Sequence, residues 1–367
     1  MTRRPEKQPA VLDAEQDPVT TPQPCKADGA DPTQTHLARE LTHDRPLICC
    51  AFDPTGRFVF AGSEDLTVRR WDLLAQEPPA IPFVAHESWV FDLAFTPDGC
   101  TLLSAGGDGC LIWWSAATEG EPTPTRKIEA HAGWVRGVTV SLDGTLAASC
   151  GNDRRVKIWS IDDGLLLHDL QGAHDKPVYA VGFHPDGESL VSADLEGRIV
   201  VWEVSSGLMQ HRLDASSLYS YNGGQQVDYG GVRDLAFSPS GDRLACAGLL
   251  NATNPLGAVN DPAVVFFDWL RGEQIALLKA QGGLKGVAWG IRCHPDGFLV
   301  VAVGGSGGGH LLFYRPDQPD EEFHRFSLPN TARSLDLHPD GLHLATAHHD
   351  GKLRLSRMQP QSQPAAS

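Results

Sequence analysis

A tight-turn signature recurs seven times along this chain, and no other feature limits its possible folds as strongly. The glycine of the signature falls at Gly56, Gly99, Gly144, Gly187, Gly241, Gly297 and Gly341, between 43 and 56 residues apart. Turns such as Asp53-Pro54-Thr55-Gly56 and His184-Pro185-Asp186-Gly187 combine a proline that presets φ with a glycine that accepts positive φ, between two short apolar runs. Each copy therefore reads as a hairpin, and the spacing is that of a unit of about four strands. One such unit cannot bury its apolar face alone, so the copies must pack on one another. The 38 Gly and 26 Pro supply the turns that many short strands demand.

Other residues keep register with the turn. Nine positions after the glycine stands Asp65, Asp108, Asp153, Glu196 or Asp350, and six further on stands Trp71, Trp114, Trp159 or Trp202 in the first four copies. Copy five has Asp261 and Phe267 at that six-residue offset, copy six has Gly308 and Tyr314, and copy seven ends in Ser356. Upstream, His43, His86, His131 and His174 each lie nine positions before Phe52, Phe95, Val140 and Phe183. This order of His, hairpin, Asp and Trp resembles the WD-repeat family, and Trp71-Asp72 is its namesake dipeptide.

The resemblance spans residues 37 to 358. It implies an all-β fold: a seven-bladed β-propeller of four-stranded antiparallel blades, closed by pairing of N-terminal and C-terminal strands. In that family a His, a Ser or Thr, an Asp and a Trp form one hydrogen-bonded set per blade. The matching sets are His86, Ser104, Asp108 and Trp114 in blade two, and His131, Ser149, Asp153 and Trp159 in blade three. In blade four they are His174, Ser192, Glu196 and Trp202; blade one has Ala61 in place of the hydroxyl, and blade seven keeps Thr346 and Asp350. The last sheet needs an outer strand, and Leu37 to Leu41 is placed to supply it beside Lys352 to Met358. Residues 36–358 are then the propeller. The Pro- and Gln-rich stretch 1–35 and the tail 359–367 lack periodic apolar positions and read as disordered.

A net charge of −16 opposes binding to phosphate backbones and anionic membranes. We therefore expect no nucleic-acid and no membrane partner, and a monomeric propeller. The eight Cys show no Cys-x-x-Cys pair, which suits buried thiols in a reducing cytoplasmic setting.

His, Ser and Asp together invite a hydrolase reading, but a catalytic set is needed once, whereas this one recurs blade after blade. Gly304-Gly305-Ser306-Gly307-Gly308 fits a nucleophile pattern that requires a strand leading into a helix, and it lies in a blade loop instead. His348-His349-Asp350 and His310 lack metal-ligand spacing, while His184, His294 and His338 sit in turns where exposure is expected. No catalytic residue, metal or cofactor is assigned.

Two insertions, Tyr219 to Gly231 and Leu249 to Pro262, lengthen adjacent loops on one face. Three and five positions after the His slot the chain offers Trp89, Phe91, Trp134, Arg136, Tyr179, Arg233, Trp289 and Arg333. Aromatic residues and Arg are what interface hot spots are made of, although Trp89 and Trp134 could equally pack between blades. With the Tyr219/Tyr221 loop they form the expected partner-binding face. The expected function is a non-catalytic scaffold or adaptor for a protein or peptide partner, its basic centre suiting carboxylate or phosphate groups. The alternative is an enzyme acting on a small substrate in the central channel.

Overall fold

A computed structural model describes residues 29–118, 120–252, 260–306 and 308–361. Most of the expected disordered arm, residues 1–28, and the end of the tail, 362–367, lie outside the described residues. The only helical segments among the described residues are two short 3-10 turns, Pro32–Gln34 and Ser216–Leu218.

The chain folds into seven four-stranded antiparallel sheets, and their inner strands neighbour one another in a closed ring. Blade one runs outward from Leu47–Phe52 through Phe58–Ser63 and Thr67–Asp72 to Ile81–Val84. The inner strands of blades two to seven are Val90–Phe95, Val135–Val140, Val178–Phe183, Asp234–Phe237, Val287–Cys293 and Ala332–Leu337. Blade seven takes its outer strand from the other end of the chain, as expected. Thr35–Thr42 lies antiparallel to Lys352–Met358, with Thr35 opposite Met358 and Thr42 opposite Lys352. Just before it, the Asp31 N–H donates to the Met358 carbonyl at 2.8 Å.

Among the described residues, seven of the eight buried apolar clusters lie one at each contact between blades. Phe60, Phe83, Leu102 and Trp114 join blades one and two, and Leu41, Leu47, Trp71, Leu353 and Leu355 join blade seven back to blade one. A fully buried Phe or Leu contributes about 2 kcal/mol. The shared faces of neighbouring blades therefore carry the ring.

One expectation is corrected at the turns. His184 and His294 are buried and His338 is half-buried, because each reaches the next blade around the ring. The Nε2–H groups of His184, His294 and His338 donate to the carbonyls of Gly241, Gly341 and Gly56 at 2.8, 2.7 and 2.8 Å. Each Nδ1 lies 3.1, 3.0 and 3.1 Å from the N–H two residues on, that of Asp186, Asp296 and Asp340, with the carboxylate of the same residue 2.8, 3.6 and 2.9 Å away. Gly56 is fixed twice over: its φ is +73°, and a Cβ there would lie 2.5 Å from His338 Nε2.

Candidate functional site

The loops of one face are anchored by the polar sets. In blade two Trp114 Nε1 donates to Ser104 Oγ at 2.9 Å, Ser104 Oγ meets His86 Nε2 at 2.8 Å, and His86 Nδ1 meets Asp108 at 3.0 Å. A carboxylate only accepts, so Nδ1 carries the proton and Nε2 accepts from the hydroxyl. Burial opposes ionisation of Asp108, yet the hydrogen bonds from His86 and the Glu87 N–H bring its carboxyl down to about 2. Blade three repeats the set, with Trp159 to Ser149 at 2.9 Å, Ser149 to His131 at 2.8 Å and His131 to Asp153 at 2.9 Å.

Blade four corrects the sequence assignment. His174 bonds Ser192 at 2.7 Å, and Trp202 bonds Ser192 at 2.8 Å, but the carboxylate on His174 Nδ1 belongs to Asp194, at 2.8 Å, and not to Glu196. Asp194 stands at the end of the second strand, where blades two and three have Gly106 and Gly151. A Cβ at Gly106 would lie 2.4 Å from the Asp108 carboxylate, so one place holds either the glycine or a carboxylate of its own. Glu196 is left near Lys176 and Arg198, at 3.9 and 3.6 Å.

Blade one pairs His43 with Asp65 at 2.9 Å without a hydroxyl. In blade seven the strand-end residue is His348, which supplies the imidazole from the wrong side: Nε2 lies 2.8 Å from Thr346 Oγ1 and Nδ1 3.0 Å from the Asn330 carbonyl. Asp350 turns away to Arg354, at 2.7 Å.

Above this scaffold the inner strands open into a cavity of about 290 Å³ at one mouth of the channel. Ile48, Phe91, Arg136, Tyr179, Arg233, Trp289 and Arg333 line it, one from each blade. In six blades the residue facing the mouth is the one skipped by the pairing register, as Phe91 is between Val90 and Asp92 and Arg136 between Val135 and Gly137. Ile48, Tyr179, Trp289 and Arg333 occupy the same kind of bulge. A bulge leaves its extra residue unpaired and bends the strand, which frees these side chains from the blade faces and aims them into the channel.

The structure thus brings together six of the ten residues expected at a partner-binding face, with Trp89 as a seventh in the lining. Trp89 and Trp134 are 42% and 40% exposed, so both remain on the surface. Phe91 stacks on Trp134 with ring centroids 5.2 Å apart. The Arg136 guanidinium lies 4.8, 4.4 and 4.4 Å from the Phe91, Trp134 and Tyr179 rings, and Arg233 lies 4.8 and 5.5 Å from Tyr179 and Trp289. Burial pushes both guanidiniums below their ordinary range, and Arg233 adds repulsion on Arg136. Arg333 is paired with Glu64 at 2.7 Å.

Tyr219 and Tyr221 stand apart from the lining, on the hairpin formed by Tyr219–Asn222 and Val227–Gly230. The Tyr219 hydroxyl donates to Asp228 at 2.6 Å, and Lys176 reaches the other Asp228 oxygen at 2.7 Å. Val227 and Tyr229 pack with Leu249, Ala252, Val287 and Trp289, which seats the hairpin beside the mouth. Tyr221 is exposed. Of the second insertion, residues 253–259 lie outside the described residues.

Below the mouth lies a charged floor that sequence reasoning missed. Asp92 accepts the N–H of Val138 in the next blade at 2.9 Å, and Asp234 accepts that of Ile291 at 2.9 Å. Arg292 ties Asp234 to Asp336, at 3.0 and 2.9 Å. Burial raises the Asp92 carboxyl to about 7. The signal was present: Val90-Phe91-Asp92-Leu93 and Val232-Arg233-Asp234-Leu235 place Asp at one register of two apolar strands.

The Gly304 to Gly308 stretch joins two paired strands, Leu299–Gly305 and Gly308–Arg315, with no helix following. Both His348 nitrogens have partners within the blade. His338, Asp340 and His343 group within 4.8 Å, but Asp340 and the Gly56 carbonyl engage them.

The family model for the WD domain, G-beta repeat, matches residues 35–72, 78–115, 122–160, 164–203 and 324–355. Telomerase protein component 1 of Rattus norvegicus is 33% identical over 93 residues, covering 23% of this chain and 4% of that protein. The Periodic tryptophan protein 2 homolog of Schizosaccharomyces pombe is 38% identical over 85 residues, 22% of this chain and 9% of that protein. Nuclear distribution protein PAC1 of Arthroderma otae is 35% identical over 71 residues, 19% of this chain and 15% of that protein. The chain spans only these small fractions of the relatives it matches. With five repeats matched over half its length and seven four-stranded blades closed by its own two ends, this chain belongs to the WD-repeat family.

Proposed function

We propose that the chain is a non-catalytic scaffold that holds a protein or peptide partner on the face bearing Trp89, Phe91, Trp134, Arg136, Tyr179, Arg233, Trp289 and Arg333. The observation that carries the reading is the set of six bulges that turn Phe91, Arg136, Tyr179, Trp289 and Arg333, together with the apolar Ile48, into one mouth. The partner offers carboxylate or phosphate groups to the two arginines. The exposed Tyr221 hairpin extends the same surface.

The name of one relative, a telomerase protein component, agrees with work inside an assembly. A cytoplasmic, monomeric chain without nucleic-acid or membrane partners fits the acidic charge. A channel enzyme would need a free titratable group, and Asp92 spends its oxygens on the N–H groups of Leu93 and Val138.

The test exchanges Arg136→Glu and Arg233→Glu together. Capture of partners from native lysate should be lost while the thermal unfolding midpoint stays within a few degrees; retained capture refutes the assignment.

A further inference from the structure

The mouth contains two cations that the protein itself does not neutralise. No carboxylate among the described residues lies within ion-pair distance of Arg136 or Arg233, whereas Arg333 and Arg292 on the same wall both have acidic partners. Arg136, which lines the cavity, spends its Nε on the Asn152 side chain at 2.9 Å, which holds the guanidinium in place. Arg233 Nε is buried with no hydrogen-bond partner. The two guanidinium carbons lie 4.4 and 4.8 Å from the centroid of one ring, that of Tyr179.

This arrangement selects the charge of the ligand. Phe91, Trp134, Tyr179 and Trp289 each already carry the guanidinium of Arg136 or Arg233, so an incoming cation meets positive charge at these four rings. Two unpaired guanidiniums sharing a partly buried mouth repel each other, and a single carboxylate would neutralise only one of them. A phosphate monoester carries close to two negative charges at neutral pH and several acceptor oxygens, enough for both forks.

We propose that Arg136 and Arg233 form a receptor for one phosphoryl group, carried on a phosphorylated side chain of the partner protein and held by the two guanidiniums at the mouth beside Tyr179. The proposal rests on the scaffold reading of this face and specifies what the face recognises. Asn152 is a positioning residue, holding Arg136 in place.

The test is calorimetric titration of the full chain in phosphate-free, low-salt buffer with phenyl phosphate, phenyl sulfate, benzoate, inorganic phosphate and phenyltrimethylammonium. Phenyl phosphate should bind at least about tenfold tighter than phenyl sulfate or benzoate, and the ammonium should not bind. Its affinity should fall as pH drops below about 6, where the dianion takes up a proton. Arg136→Gln and Arg233→Gln should each weaken it at least about tenfold. Benzoate binding as tightly as phenyl phosphate, or two folded Gln variants with unchanged affinity, overturns the proposal. Inorganic phosphate binding more tightly than the ester overturns the side chain as its source. If the ester fails to bind but the double Glu variant still loses its partners, the phosphoryl assignment falls and the scaffold reading stands. If the ester binds while the double Glu variant keeps its partners, the partner as source and the recognition face fall together.

Discussion

Blades two to four and blades five to seven are all four-stranded antiparallel sheets, yet they are held by different chemistry. In the first group a Ser, a His, a Trp and an Asp fill the space under the loops with hydrogen bonds. In the second, the residue opposite the inner strand is Cys246 in blade five and Val301 in blade six, and the Trp place is taken by Phe267 and Tyr314. Blade seven keeps a hydroxyl, Thr346, but receives its imidazole from His348. A satisfied polar network and a close-packed apolar group can thus serve the same backbone, provided that neither is left half made. The insertions fall around blade five, whose loops are not pinned by a polar set.

The comparison can be broken most forcefully from the apolar side. Phe267 is fully buried between blades four and five, and Phe267→Ala should cost about 4 kcal/mol in urea unfolding. On the polar side Asp194→Ala removes the buried acceptor of His174 and should cost about 3 kcal/mol, while Glu196→Gln should stay within about 0.5 kcal/mol. Equal effects of the last two would reinstate Glu196.

Blade seven supplies a pH test. Burial, followed by the charge of Arg354, lowers the His348 pKa to about 4, below the ordinary 6.5. The unfolded chain therefore protonates first as pH falls. The contribution is complete above pH 6.5 and is lost progressively towards pH 4, about 3 kcal/mol in all. A His348→Gln variant should lack that part of the acid slope. The smallest test swaps the two chemistries. Ser149→Ala orphans His131 and Trp159, Cys246→Ser buries a hydroxyl where no His or Trp waits, and both should lose about 2 kcal/mol.

The ring was legible because its turns are punctuated by proline and glycine at a steady period, a local signal that tertiary context does not erase. The residues at the mouth were legible for a similar reason, since an offset from the His slot survives even where the His does not. Asp194 was misread because an acid two residues on kept the repeat's spacing; the glycines at its register in blades two and three were the available clue. The turn histidines and the inner-strand aspartates were misjudged or missed because their partners lie in the next blade, a separation that no linear pattern displays.

The seam between Thr35–Thr42 and Lys352–Met358 has a mechanical consequence. Because Thr35 faces Met358, the chain segments that continue beyond both strands leave from the same end of the pair. Tension applied between them would load the ladder one rung at a time, as in peeling tape, instead of straining every rung together. A cargo pulling on both ends would open this rim strand at low force while the other six sectors keep their stacking.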